Sequence, residues 1–267
     1  MPSDSPSILL LIPAYNEESR IGPVLEAYAL YFREHHPDNF HLVVVLNGCT
    51  DDTLVVVERA SEQFPEISHV NIPEPVGKGG ALIEGLKLAP EADLVGYVDA
   101  DGATPPAAFD DLLTDCAGAD CVIGSRWMAG SVLRQEQTFR RQFASRVFHA
   151  IVQGFFWMNI RDPQCGAKVM RREAVQAIHG QLTVADMAFD INLLYALKRS
   201  GYTVREVPTE WNDQVGSKVE MGRTSLVMLL SVIRLRLYYS PLYRWLAPLR
   251  PLEAWLYRKL SAPPPLK

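Results

Sequence analysis

Residues 94–102 read Leu94-Val95-Gly96-Tyr97-Val98-Asp99-Ala100-Asp101-Gly102, an apolar run that ends in two aspartates one residue apart. Similar short apolar runs lie at residues 8–12, 42–46, 70–72 and 121–123. Near-continuous apolar strands of this kind are typical of a mostly parallel sheet that is covered on both faces. The stretch at 94–102 therefore predicts a buried strand whose carboxyl end carries two carboxylates.

Segments with the apolar spacing of helices separate these runs, at residues 19–33, 52–63, 78–88 and 105–116. Strands that alternate with helices predict an α/β fold in which helices sandwich the sheet. The second half is less regular, and we predict helices at 140–157 and 189–199, a loop at 162–166 and a strand at 203–207. We interpret residues 1–222 as one domain, 223–260 as amphipathic C-terminal helices suited to a membrane interface, and the proline-rich residues 261–267 as a disordered tail.

Polar segments follow three of the predicted strands, at residues 13–17, 47–51 and 99–102. In an open parallel sheet, ligands bind in the crevice outside the carboxyl ends of the strands. We therefore expect these three segments to converge on one site.

The pair Asp99 and Asp101 suggests a metal site. Two carboxylates one residue apart at a strand end can face one divalent cation, and Mg²⁺ or Mn²⁺ suits oxygen ligands and can bridge a diphosphate. Such an ion would neutralise the charge that develops on a departing nucleoside diphosphate. The alternative is a solvated turn in which the aspartates bond to nearby backbone amides.

Two further clusters could meet an anion. Gly77-Lys78-Gly79-Gly80 opens a predicted helix, where backbone amides and a lysine can bind phosphate, but the Walker A spacing is missing and Leu82 stands where a dinucleotide fingerprint has its third glycine. A tight turn explains these glycines equally well. Arg126, with Arg140 and Arg141, would supply forked donors for phosphate oxygens, and the alternative is a solvated helix face.

The charge is unevenly distributed. The 267-residue chain has a net charge of -5, but the segment from Arg223 onward has eight Lys or Arg and one acid, so that it carries +7 and the rest −12. A basic segment on an acidic body indicates an anionic partner. Its aromatic side chains accompany long aliphatic runs, which favours a membrane surface over nucleic acid. An amphipathic helix packed on the domain is the alternative.

Cysteine usage and the hydropathy pattern indicate a compartment. The four cysteines show no CxxC spacing, and the start MPSDSPSILLLIP lacks a signal-peptide pattern, so we expect a reducing, cytoplasmic setting. No apolar run approaches the roughly 20 residues that a membrane span requires. We therefore predict a cytoplasmic protein that is peripheral on the inner face of the membrane.

Seven short strings together resemble the family 2 glycosyltransferases, and most closely their dolichyl-phosphate glucosyltransferase branch. They are IPAYNE at 12–17, GKGGA at 77–81, DADGAT at 99–104, GSR at 124–126, DPQCGAK at 162–168, FD at 189–190 and EVP at 206–208. Their order and spacing match from about residue 8 to 218. The resemblance implies a GT-A fold, a nucleoside diphosphate sugar donor, a divalent metal and inversion at the anomeric carbon.

The resemblance also implies roles for individual residues on the donor side. The nucleotide pocket would be lined by Pro13, Tyr15 and Glu17. Asp99 would face the ribose and sugar of the donor and, with Asp101, the metal. Where the family usually has an acid that touches the base, this chain has Asn47.

On the other side of the donor, Arg126 and Lys78 would neutralise phosphate charge. Gln164 and Asp190 would lie near the sugar on the acceptor side, and Gly216-Ser217-Lys218 would close over the site. Two other positions depart from close relatives: Asn192 replaces a glutamate, and Ala103 stands where mannosyl-transferring relatives have glutamine.

The resemblance thus implies an inverting enzyme that moves a hexose, glucose or mannose, to a polyprenyl or dolichyl phosphate, with UDP-glucose the first choice of donor and GDP-mannose the second. A phosphate acceptor is already ionised at neutral pH and needs no strong base. The alternative acceptor is a hydroxyl of a soluble or lipid-linked molecule, for which Asp190 would take the proton. Two further alternatives are a nucleotidyltransferase and a sugar-nucleotide sensor that lacks catalytic activity.

Overall fold

The computed structural model describes residues 5–133, 139–212 and 221–240; the side chains of residues 139–145 and 221–225 lie outside this description. The described part contains one seven-stranded sheet and one two-stranded sheet. The strands are β1 Ile8–Ala14, β2 Phe40–Asn47, β3 Ile67–Ile72, β4 Leu94–Tyr97, β5 Cys121–Ser125, β6 Val132–Leu133, β7 Lys168–Arg171, β8 Val204–Pro208 and β9 Glu210–Trp211.

Helices cover both faces of the large sheet. They are α1 Ile21–His35, α2 Thr53–Gln63, α3 Gly77–Gly85, α4 Pro106–Asp115, α5 Phe139–Phe156, α6 Arg172–Ile178, α7 Phe189–Arg199 and α8 Met221–Tyr238, with short 3-10 turns at Leu86–Glu91, Cys116–Gly118 and His179–Gln181. Side chains alternate along β1, so Leu9 and Leu11 belong to one apolar core and Leu10 and Ile12 to the other. The predicted α/β sandwich is confirmed.

The strand order in the large sheet is β3-β2-β1-β4-β7-β5-β8. Its pairs are parallel except those of β7, which runs antiparallel to both β4 and β5. The strands β2 and β3 lie on one side of β1, and β4 lies on the other side, so the strand order reverses between β1 and β4. Open α/β sheets bind ligands at such a switch point. The loops after β1, β2 and β4 therefore meet at one edge, as the sequence predicted.

The predicted elements of the first half are observed with shifts of a few residues. The helix predicted at 78–88 ends earlier, at Gly85, and a 3-10 turn that contains Pro90 follows it. The strand β7, the helix α6 and the small β6-β9 sheet were not predicted from the sequence. The loop predicted at 162–166 is observed.

The described part of the C-terminal segment packs on the domain. Val232 and Leu235 of α8 are buried in the core on the α7 side, and α8 also contacts α5. Among the described helices, none is long and apolar enough to cross a bilayer. Residues 241–267, which include the rest of the predicted interfacial helices and the predicted tail, lie outside the described residues.

Candidate active site

Lys78 and Asp99 form an ion pair at the switch point of the sheet. Lys78 lies in the first turn of α3, and its Nζ is 2.5 Å from Oδ1 of Asp99, two residues beyond β4. Burial alone would lower the pKa of Lys78, but the carboxylates of Asp99 and Asp190 raise it. The lysine therefore stays protonated beside two acids.

Asp101 lies on the same turn as Asp99. Its Oδ1 accepts a hydrogen bond of 3.0 Å from the amide of Ala103. Burial raises the pKa of Asp101, and the negative charge of Asp99 raises it further. The two predicted metal ligands thus repel each other electrostatically, and a cation between them would relieve that repulsion.

The described residues hold no group of three or more His, Cys, Asp or Glu side chains arranged for a metal. Mg²⁺ is commonly bound by one or two carboxylates together with substrate phosphates rather than by a protein cage. The pair Asp99 and Asp101 fits that kind of site, in which the donor itself completes the coordination.

The loop 162–166 presses against Asp99. A Cβ atom built on Gly166 would lie 2.6 Å from Cγ of Asp99, closer than real atoms approach. Only glycine lets this loop contact the carboxylate. Gln164, predicted to lie near the sugar, is in the same loop and is partly buried.

Arg126 is held by Asp162. Its Nε donates to Oδ2 at 2.7 Å and its Nη2 to Oδ1 at 2.8 Å, and its guanidinium lies 4.9 Å from the ring centre of Trp211. Asp162 in turn receives a backbone bond from Arg126 and donates its own amide to Glu206. The guanidinium thus forms an internal ion pair with Asp162. Its contact with donor phosphate stays a prediction.

Asp190, at the start of α7, is buried within a polar cluster. Its Oδ1 accepts hydrogen bonds from Tyr97 Oη at 2.5 Å and from Lys168 Nζ at 2.6 Å. Lys168, fully buried, also donates to the carbonyl of Cys165 in the loop 162–166. Burial would raise the pKa of Asp190, but Lys168 and Lys78 lower it overall. The carboxylate is therefore ionised and a weak proton acceptor.

The sequence reading gave Tyr97, Lys168 and Asp162 no role. A signal was present for Lys168, since a lysine beside the apolar pair Val169 and Met170 needs a partner if it is buried. The partner could not be read from spacing, because Asp190 comes from a different element.

Hydrogen bonds and an ion pair hold the segments that were predicted to line the nucleotide pocket. Glu17 is paired with Arg20 through two bonds of 2.7 and 2.8 Å, and Tyr15 is 49% exposed. Asn47 is buried, and its Oδ1 accepts the amide of Val76 at 2.7 Å. Pro13 lies at the partly buried end of β1. The contacts of these four residues with a nucleotide stay predictions.

Residues 9–178 match the family model described as Glycosyl transferase family 2. The chain belongs to glycosyltransferase family 2. This family 2 glycosyltransferase is 30% identical over 239 residues to a dolichyl-phosphate beta-glucosyltransferase of Trichomonas vaginalis, covering 86% of the chain and 70% of the relative. It is 29% identical to the dolichyl-phosphate beta-glucosyltransferase of Mus musculus, covering 88% and 77%.

The fold matches a solved glycosyltransferase. Glucosyl-3-phosphoglycerate synthase of Mycobacterium tuberculosis, crystallised with Mn²⁺, UDP-glucose and phosphoglyceric acid, superposes with a TM-score of 0.64 at 20% identity, over 87% of this chain and 80% of that one. The family 2 enzyme therefore has the GT-A fold that the resemblance implied. Residues 216–218, predicted to close over the site, and the side chains of Arg140 and Arg141 lie outside the described residues.

Proposed function

We propose that this enzyme transfers a hexose, with glucose as the first choice, from a nucleoside diphosphate sugar to a polyprenyl phosphate, with inversion at the anomeric carbon. The observation that carries the proposal is the Lys78–Asp99 pair beside Asp101 at the sheet's switch point, where opposite charges converge on one crevice. The acceptor is supported by the relatives, which are named for dolichyl phosphate.

The donor is UDP-glucose by preference and GDP-mannose as second choice. The relatives are named glucosyltransferases, and the superposed synthase was crystallised with UDP-glucose. Pro13, Tyr15, Glu17 and Asn47 would line the pocket that holds the base and ribose.

Asp99 and Asp101 would hold a Mg²⁺ or Mn²⁺ ion. When bound, the ion supplies charge neutralisation to the departing diphosphate. Lys78 adds a second positive charge at the amino end of α3, where backbone amides also favour anions. The chain's own part is to orient the donor and to hold these charges in fixed positions.

Asp190 favours a phosphate acceptor over a hydroxyl. A hydroxyl acceptor needs a base with a pKa near the working pH, and the pKa of Asp190 is lowered instead. Because a phosphate monoester is already ionised, no proton has to be removed, and Asp190 is free to act as a fixed hydrogen-bond acceptor.

A lipid-linked acceptor also fits the outer faces of α5 and α8. Several apolar side chains on or next to these two contacting helices are exposed; they are Val147, Phe155, Trp157, Leu226, Ile233 and Leu237. An exposed apolar face next to basic residues is typical of helices that lie in a membrane interface. We propose that the enzyme binds the cytoplasmic membrane face peripherally through this surface.

The test is a transfer assay with purified enzyme, Mn²⁺, radiolabelled UDP-glucose or GDP-mannose, and a short polyprenyl phosphate. The unphosphorylated polyprenol is the matched control, because it offers a hydroxyl and no phosphate. We expect label in lipid only with the phosphate and mainly from UDP-glucose. Transfer to polyprenol at an equal rate would favour the hydroxyl-acceptor alternative and count against the proposal.

A further inference from the structure

Residues 181–188, which we name the bridging segment, lie between the first turn of α3 and the C-terminal helix α8. On the α3 side, the amide of Gly80 donates to the carbonyl of Ala185 at 3.0 Å. A Cβ atom built on Gly79 would lie 2.7 Å from Cβ of Phe189, just beyond the segment, and Gly77 has a φ of +81. The glycines of this turn therefore let the bridging segment pack directly on the backbone of α3.

The opposite side of the bridging segment is joined to α8. Ser231, which is 1% exposed, donates its hydroxyl hydrogen to Oδ2 of Asp186. Oδ1 of Asp186 accepts the amide of Ala188 at 2.7 Å. One side chain thus links α8 to the segment and to the start of α7, which carries Asp190.

Asn192 holds the other end of the bridging segment. Its Oδ1 accepts the amides of Thr183 and Val184 at 2.7 and 3.1 Å. Its Nδ2 donates to the carbonyl of Gln181 at 3.2 Å and, more weakly, to the hydroxyl of Tyr239 at 3.4 Å. An amide can accept twice and donate twice, whereas a carboxylate cannot donate. The asparagine at this position is therefore suited to fixing the segment and the end of α8 together.

These contacts form a continuous path to the site. The path runs from α8 through the bridging segment to the first turn of α3, whose Lys78 meets Asp99. Chains of packed elements and shared hydrogen bonds can carry energetic coupling between distant positions. Of this path, the residues from 181 onward lie outside the range 9–178 that matches the family model.

We propose that Ser231 and Asn192 are positioning residues for glycosyl transfer, because they hold the bridging segment and thereby the Lys78 turn against Asp99. Neither touches the substrate; both act on where the lysine lies when the donor diphosphate binds. The inference rests on the proposed function for its consequence in catalysis, but the mechanical link can be measured without substrate.

The test uses the full-length variant Ser231→Ala. Loss of one internal hydrogen bond is expected to speed amide hydrogen exchange at Gly80, Thr183 and Val184 about three- to tenfold. The KM for the donor and the dissociation constant of UDP with Mn²⁺ should rise by a similar factor, with kcat changed less. The matched control is Ser61→Ala, which also removes one serine hydroxyl bond, here 3.0 Å to Val57 within α2; neither exchange at these amides nor the KM should change.

A second variant, Asp186→Ala, and the double variant Asp186→Ala/Ser231→Ala complete a double-mutant cycle with Ser231→Ala. If the two side chains act through one bond, the double variant is no worse than Asp186→Ala alone. Exchange and KM in Ser231→Ala that match Ser61→Ala would overturn the proposal. Faster exchange with an unchanged KM would also overturn it, because the link would then be structural only. Failure of the wild type to bind either UDP or GDP would contradict the proposed function, and the exchange measurement would still decide whether the link exists.

Discussion

Asp101 has a carboxylate whose charge is unfavourable in the unliganded protein, since burial and Asp99 both raise its pKa. We predict that Asp101→Asn lowers turnover at saturating Mn²⁺ by roughly 10²-fold or more. The melting temperature should stay the same or rise slightly, because the substitution removes a repulsion. Turnover near the wild-type value would show that this carboxylate does not hold the metal.

The buried pair of Lys168 and Asp190 gives a prediction on stability. Lys168→Met leaves the Asp190 charge without its ion-pair partner, which should cost about 3–5 kcal/mol in the free energy of unfolding. The double variant Lys168→Met/Asp190→Leu should regain most of that loss. Urea unfolding measures both.

The control for this pair is Lys87, whose ion pair with Glu84 lies on the surface, with side chains 55% and 43% exposed. Lys87→Met should change stability by less than about 1 kcal/mol. An equal cost at both lysines would mean that burial does not decide the value of the Lys168 pair.

Single residues differ in how far sequence could predict them. The position of Asp99 and Asp101 beyond the carboxyl end of β4 was predictable, because both follow one apolar run. The partner of Lys78 was not, since Asp99 lies 21 positions further along the chain and only the fold brings the two together. The same holds for Arg126, predicted for phosphate, whose guanidinium the structure pairs with Asp162.

The loop 162–166 can lie directly against Asp99 because residue 166 is a glycine and has no side chain. Gly166→Ala would place a methyl group against the Asp99 carboxylate, so the loop or the aspartate must shift. We expect turnover to fall by roughly 10²-fold, the effect of about 1 Å of misplacement at a catalytic group. Gly180→Ala, which meets nothing within 4 Å, is the control. Equal turnover in the two variants would contradict a tight contact.

Aspartates tie strand β4 and strand β8 to neighbouring segments at the amino ends of the strands. Asp93 accepts bonds from Ser7, and Asp120 accepts bonds from Thr203; these bonds lower the pKa of each carboxylate. A lowered folded-state pKa contributes stability above the unfolded value of about 3.9, and this is lost as pH falls through the folded value.

We therefore predict that the urea midpoint is flat with respect to these groups above about pH 5 and falls as the pH drops below about 4. Asp120→Asn should weaken this pH dependence, because the amide cannot ionise. A midpoint in the variant that falls as steeply as in the wild type would show that Asp120 contributes nothing to it.

Strand β7 shows why some elements could not be predicted from the sequence. It has only four residues, opens with a lysine and runs antiparallel in a sheet whose other pairs are parallel. A short apolar run with a charged residue cannot be told from a loop by periodicity alone. The helix 189–199 was predicted to the residue, since eleven positions give a clear helical pattern.

For the molecule as a whole, the predicted sandwich and the edge that bears the site followed from the alternation of strands and helices. The position of α8 did not, because leucines that face a core and leucines that face a membrane have the same helical spacing. In the structure α8 has a buried side with Val232 and Leu235 and an exposed side with Leu226, Ile233 and Leu237, which are 48%, 37% and 39% exposed.

The exposed face of α8 gives the last prediction. The full-length enzyme should float with anionic liposomes, and the triple variant Leu226→Gln/Ile233→Gln/Leu237→Gln should bind at least about tenfold more weakly, since it loses apolar area without touching the buried side of the helix. The control Leu30→Gln/Val55→Gln changes exposed apolar residues on α1 and α2. Higher salt should weaken binding of the wild type, because the basic segment after Arg223 would contribute through screened charges. If the triple variant and the control float equally well, the face of α8 is not the lipid-binding surface, and the acceptor lipid must reach the site from another side of the molecule.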